Sequence, residues 1–271
     1  MFSKEKGDKH MIGFIGGGNM AEAIIKGIAH KYAGNIIVSE PRDERRSYLE
    51  KTYAIKTTPR NKDVASNADI IIIAVKPQEM GNILDEISDV ITEEKTVVSI
   101  AAGITLSYLS ARLKTRKIVR IMPNTPALVQ EGMSVMSMCE CIHDKDIALI
   151  KDIFMSVGRL LALPEKYMDA VTALSGSGPA FVAYFVEAMI EGGVRMGLSN
   201  DDAATLAVQT LLGTARLLDT GMSPAKLREM VTSPKGTTAA GLMVFEEKAL
   251  KEIIIAAISA ATERAKELGK S

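Results

Sequence analysis

The chain has 271 residues, 47% hydrophobic and 24% charged, an ordinary globular composition that excludes a largely disordered protein. Lysine plus arginine and aspartate plus glutamate each number 33, so no global charge field points to nucleic acid or an anionic membrane. Two cysteines exclude a disulfide framework, and no uninterrupted apolar stretch reaches transmembrane length.

Residues 1–10 are polar and lack the apolar core of a secretory signal. A flexible extension and a cytoplasmic location are expected. From residue 11 to residue 164, short apolar runs alternate with helical patterns, which predicts βαβ units on a parallel sheet. Strands are predicted at 11–15, 35–39, 69–75, 96–100 and 117–122, with weaker ones at 135–138 and 159–162. The run Ile70, Ile71, Ile72, Ile73 is apolar on both faces, as a central parallel strand between helices requires. Helices are predicted between these runs, for example at 20–30 and 105–113. Cys139 and Cys141 are expected at alternate positions of a short strand that includes 135–138. His10, His30 and His143 are the only histidines, so no metal site and no histidine-based triad is expected.

After Pro164 the strand-like runs stop, and helical patterns occupy 167–196, 201–219, 224–231, 238–245 and 250–268. Several are apolar around much of their circumference, as Phe181, Tyr184, Phe185 and Met189 show, and again Ile253, Ile254, Ile255 and Ile258. So few helices cannot bury that surface alone, so an obligate homodimer is expected. The fold class is α/β: an N-terminal Rossmann dinucleotide-binding domain over 1–164, then an all-α substrate-binding and dimerisation domain over 165–271.

Gly16-Gly17-Gly18-Asn19-Met20-Ala21 follows the first strand and opens the first helix, in the G-x-G-x-x-A pattern. Gly16 allows the tight turn, Gly18 lets the backbone approach a pyrophosphate, and Ala21 lets helix and strand pack. The free amides of the helix start, through Asn19 and Met20, then face the diphosphate. The second strand ends in Ser39-Glu40-Pro41-Arg42, with Arg45 and Arg46 following. An acid there accepts the ribose 2′-hydroxyl of NAD, and arginine accommodates the 2′-phosphate of NADP. Both types are present, so the choice of dinucleotide stays open. Ala74-Val75-Lys76-Pro77 and Ala101-Ala102-Gly103 lie at further strand ends, where ligands of open α/β sheets bind. In the helical half, Ser175-Gly176-Ser177-Gly178-Pro179 interrupts a helical pattern. Ser233-Pro234-Lys235-Gly236-Thr237-Thr238 precedes an apolar helix, and its amides and hydroxyls suit a carboxylate.

Together these segments make the chain resemble the pyrroline-5-carboxylate reductases. The likeness is carried by Gly13 to Met20, Ala74 to Pro77, Met122 to Pro126 (Met-Pro-Asn-Thr-Pro), Leu174 to Phe181, Gly192 to Leu198 and Ser233 to Thr238. The resemblance implies reduction of Δ1-pyrroline-5-carboxylate to proline, the last step of proline biosynthesis, with NADP(H) or NAD(H). It implies cofactor contacts from Gly13, Phe14, Ile15, Gly16, Gly17, Gly18, Asn61, Ala74, Val75, Lys76 and Ala102. Glu165, Thr237 and Thr238 would line the substrate pocket, with Ser233 and Gly236 adding to it and a Thr238 hydroxyl reaching the ring nitrogen. Family members form dimers, often assembled into larger rings. Two positions depart from the family: Lys235 replaces a glycine, and Glu40 stands where a small polar residue is usual in NADP-preferring members. β-Hydroxyacid dehydrogenases place a lysine where this chain has Val182, which disfavours that chemistry. The alternatives are an imine reductase for another cyclic imino acid and a non-catalytic NAD(P)-sensing regulator.

Overall fold

The computed structural model describes residues 10–139 and 141–269. The expected extension, apart from His10, lies outside them. The chain divides into two compact units, one running up to Gly176 and resuming at Ala261, the other spanning Ser177–Ala260. This differs in extent from the expected division at Pro164.

The first unit is an eight-stranded sheet. In chain order its elements are β1 (Ile12–Ile15), α1 (Asn19–Tyr32), β2 (Ile36–Ser39), α2 (Asp43–Tyr53), β3 (Lys56–Thr58), α3 (Asn61–Asn67), β4 (Ile70–Ile73) and α4 (Met80–Ile87). They continue with β5 (Thr96–Ser99), α5 (Leu106–Ser110), β6 (Ile118–Met122), β7 (Gly132–Met138), α6 (Asp144–Met155), β8 (Gly158–Ala162) and α7 (Met168–Val171). The strand order is β3-β2-β1-β4-β5-β6-β7-β8. All neighbours are parallel except β6 and β7, which are antiparallel. The order reverses at β1, placing a switch point between β1 and β4, where open α/β sheets bind ligands.

Burial explains the order. Ile70, Ile71, Ile72 and Ile73 are wholly buried, as are Ile12, Phe14 and Ile15 of β1. Each such side chain stabilises the fold by roughly 1.5–3 kcal/mol relative to exposure. Gly13 serves packing: a Cβ there would lie 2.5 Å from Val64 and 2.6 Å from Ala68, so its absence lets α3 lie against β1. The expected strand positions of Cys139 and Cys141 need correction. β7 ends at Met138, and the two sulfurs lie in the following turn, 2.6 Å apart, each close to the Arg116 carbonyl.

The second unit begins within a helical stretch. A π turn at Thr172–Gly176 separates α7 from α8 (Gly178–Arg195). Gly178 and Pro179 then open α8, with proline in its first turn, where no helical amide bond is lost. α9 (Asn200–Asp219), α10 (Pro224–Met230), α11 (Thr237–Glu247) and α12 (Leu250–Leu268) follow, and α12 crosses into the first unit at Ala261. Gly197 adopts φ +99°, and Ser199 caps α9 by accepting the Asp202 amide at 3.1 Å.

Candidate active site

The glycine loop leaves β1 at Gly16, with φ +95°. Its amide donates to the Ser39 carbonyl at 2.9 Å, and the Ala74 amide donates to the Ile15 carbonyl at 2.8 Å. These bonds tie the ends of β1, β2 and β4 together. A Cβ on Gly16 would sit 2.7 Å from the Ala74 carbonyl oxygen, so both backbone angle and space demand glycine. Gly18 is the N-cap of α1 and supplies no side-chain cap, and nothing lies within 4 Å of a Cβ built there. The first-turn amides of α1, beginning at Asn19 and Met20, have no partner inside the helix, and the positive end of the helix dipole lies behind them. That arrangement fits a diphosphate. Ala21 is wholly buried under the turn.

The end of β2 is more tightly engaged than its sequence suggests. The Ser39 hydroxyl donates to Asn61 Oδ1 at 2.8 Å, and Asn61 Nδ2 donates to Glu86 at 2.7 Å. Glu40 is buried; its carboxylate accepts the Gly17 amide at 3.2 Å and the Arg42 Nε at 2.7 Å. Burial pushes its pKa up, but the hydrogen bonds from Arg42 and Gly17 outweigh burial and hold it below the usual carboxylate value. Arg45 turns inward, donating to the Gly17 carbonyl at 2.7 Å and pairing with Glu22. Arg46 is held by the carbonyls of Glu40 and Pro41 and by Asp43. Of the three arginines, Arg42 alone has a largely exposed side chain.

The remaining cofactor candidates sit differently. Ala74 and Val75 are half-buried and Lys76 is exposed, just past β4; Ala102 is half-buried past β5. Gly13, Phe14 and Ile15 lie inside β1, and the Phe14 and Ile15 side chains belong to the core. Thus Gly16, Ser39 and Asn61 are linked by hydrogen bonds, Gly17 is tied to Glu40 and Ala74 to Ile15, while Gly13 and Phe14 lie within β1 beneath them.

Glu165 has fixed partners. Its Oε1 accepts the Leu106 amide at the start of α5 at 2.8 Å and pairs with Arg120 at 3.1 Å. Arg120 is only 3% exposed. Its one sequence signal was a charge within the apolar run of β6. Asn124 is a second such residue: its Nδ2 donates to the Ser175 carbonyl at 3.2 Å, and its Oδ1 accepts the Met133 amide at 2.8 Å. It links the turn after β6 to the π turn.

In the second unit, Lys235 has φ +60°, in the left-handed region that favours glycine. The Gly236 amide then donates to the Ser233 carbonyl at 3.0 Å, and a Cβ on Gly236 would run into Ser233 Oγ. This turn launches α11 at Thr237 with Gly236 as an N-cap lacking a side-chain cap bond. The amides of Thr237 and Thr238 have no partner inside the helix, and Thr238 is half-buried beside them.

A largely parallel sheet with a glycine turn at its switch point, joined to a helical unit with an uncapped threonine turn, is the architecture of a two-domain dinucleotide-binding oxidoreductase. The family described as pyrroline-5-carboxylate reductase dimerisation matches residues 165–268, and the family described as NADP oxidoreductase coenzyme F420-dependent matches residues 11–103. A pyrroline-5-carboxylate reductase from Synechocystis sp. is 44% identical over 96% of this chain and 98% of its own. The structure of a pyrroline-5-carboxylate reductase from Coxiella burnetii superposes with TM-score 0.89 at 35% identity, covering 97% of this chain and 100% of that one. The Plasmodium falciparum pyrroline carboxylate reductase with NADP bound gives TM-score 0.86 at 32% identity, covering 97% and 99%. The chain belongs to the pyrroline-5-carboxylate reductase family.

Proposed function

We propose that this chain reduces the C=N bond of Δ1-pyrroline-5-carboxylate to give L-proline, the last step of proline biosynthesis, using NADPH or NADH. The bound nicotinamide supplies a hydride to the imine carbon, and the nitrogen, already protonated, keeps its proton. The protein's work is to bind, align and keep water out, with the reacting carbons held about 3–3.5 Å apart. The amides beginning at Gly18, Asn19 and Met20 hold the diphosphate. Ser39, Arg42 and Asn61 border the adenosine ribose, and Ala74, Val75, Lys76 and Ala102 border the nicotinamide end. Gly236, Thr237 and Thr238, with Ser233 shaping their turn, hold the substrate carboxylate, and the Thr238 hydroxyl reaches the ring nitrogen. Glu165, steadied by Arg120, lines the pocket. The observation that carries this reading is the uncapped start of α11, two free amides beside two hydroxyls, in a family of imino-acid reductases.

In this reading the functional division falls between residues 164 and 165, which the extent of the dimerisation match, residues 165–268, supports. The working form is a homodimer, assembled further into a ring of dimers, in the cytoplasm. The test is oxidation of NADH and NADPH with the five-membered imino acid, its six-membered homologue and 3-hydroxy acids offered separately. The five-membered ring is expected to turn over fastest. Preference for the six-membered ring would reassign the substrate, and no turnover with any imine would leave a dinucleotide-sensing regulator.

A further inference from the structure

The end of β2 carries a fixed arrangement of charge centred on Glu40. The Glu40 side chain is 5% exposed, so its carboxylate is a fixed group of the site wall. One oxygen accepts the Gly17 amide, which locks it to the glycine loop; the other accepts both the Arg42 amide at 3.2 Å and the Arg42 guanidinium. The hydrogen bonds that depress its pKa keep it ionised at neutral pH. In a sheet of this order, the residue just past β2 faces the adenosine ribose of a dinucleotide. A buried carboxylate there accepts hydrogen bonds from a ribose diol and repels a 2′-phosphate. The positive charge needed to offset a phosphate is committed elsewhere: Arg45 to Glu22 and the Gly17 carbonyl, Arg46 to the backbone of Glu40 and Pro41 and to Asp43. Arg42 is exposed, but its Nε already serves Glu40.

We infer that Glu40 is the specificity-determining residue of the dinucleotide site and that it makes this chain prefer NADH to NADPH, while leaving NADPH usable. The inference rests on the dinucleotide reading above and sharpens it. Glu40→Ser removes the charge and releases Arg42 to meet a 2′-phosphate. Glu40→Gln keeps the shape and an oxygen for the Gly17 amide while removing the charge, which guards against loss of the loop's fold.

The experiment is calorimetric titration of the purified protein with NADH and NADPH separately, alongside kcat/KM for each. The wild type is expected to bind NADH about tenfold or more tightly than NADPH. Glu40→Ser and Glu40→Gln are both expected to narrow or invert that ratio, and adding Arg42→Ala to Glu40→Ser should remove the gain in NADPH affinity. Equal or tighter NADPH binding by the wild type, or an unchanged ratio in both Glu40 variants, would overturn the assignment while leaving the dinucleotide site intact. Failure of both dinucleotides to bind would overturn the site itself and the assignment with it.

Discussion

The two units solve the burial problem in opposite ways. In the first, a sheet covered by helices encloses its own core: β4 is wholly buried along its length, and Phe14, Ile24, Leu84 and Phe154 are fully covered. In the second, among the described residues of Ser177–Ala260, the buried hydrophobic side chains are only Ala203 and Ala207. Tyr184 is 76% exposed, and Phe181, Phe185, Ile253, Ile254 and Ile255 also lie open. A sheet offers two broad faces that one chain's helices can cover, whereas a few helices of one chain leave faces uncovered. The second unit is thus half of a core. The stretch Glu165–Arg195 is long and apolar enough to cross a membrane by length and composition, but the dimerisation family spans this region, and a second copy is the cover that accounts for it.

The most severe way to break this contrast is a charge on the open face. Ile254→Glu is expected to weaken dimerisation by about 100-fold or more, and to abolish turnover, because the charge enters the joint core from both copies. Light scattering across a dilution series reads the mass. A variant that stays dimeric at nanomolar concentration would refute the shared core. Gly16→Ala attacks the other unit: left-handed backbone plus a Cβ driven against the Ala74 carbonyl should destabilise it by roughly 1–3 kcal/mol and remove dinucleotide binding, with the oligomer intact. Dinucleotide titration and thermal unfolding read both effects. Thr238→Ala sharpens the contrast at the level of chemistry. Loss of a hydrogen bond to a charged imine should lower kcat/KM about tenfold to a hundredfold, with NADH affinity unchanged. Unaltered steady-state kinetics would remove Thr238 from the mechanism.

Smaller effects follow from strain and charge. Lys235→Gly relaxes a left-handed lysine and should stabilise the protein by about 1 kcal/mol, seen as a raised Tm. In the first unit, Glu22 accepts hydrogen bonds from Tyr48, Tyr53 and Arg45. Burial pushes the pKa of Glu22 up, yet those bonds outweigh it and leave the pKa lowered from 4.5. A lowered folded pKa means that this stabilisation is complete above about pH 4.5 and is lost as the pH falls through the folded value. Glu22→Gln should therefore cost about 1 kcal/mol at neutral pH and flatten the acid limb of stability, measured by urea unfolding between pH 7 and pH 3.

Much of this was legible in the sequence because it depends on local pattern. The both-faces apolar run at Ile70 and the strand–glycine–helix order at Gly16 specify the sheet and its switch point. The open helical faces announced a partner chain. β3 went unpredicted because Lys56, Thr57 and Thr58 form a three-residue edge strand with no apolar alternation. α5 ends at Ser110, shorter than the span 105–113 suggested. Contacts between distant residues left almost no trace: Arg120 and Glu165 are 45 positions apart, and nothing local to either names its partner. The acid and three arginines after β2 were readable as types, but which arginines were already committed depended on the loop's three-dimensional course.

On the proposed function, a hydride passes from the nicotinamide of the dinucleotide to the imine carbon of the imino acid. NADH deuterated at the transferring position of its nicotinamide tests it directly. With pyrroline-5-carboxylate, the product should be L-proline carrying one deuterium on the ring carbon that had been doubly bonded to nitrogen. Proline without that deuterium, or none at all, would contradict the account.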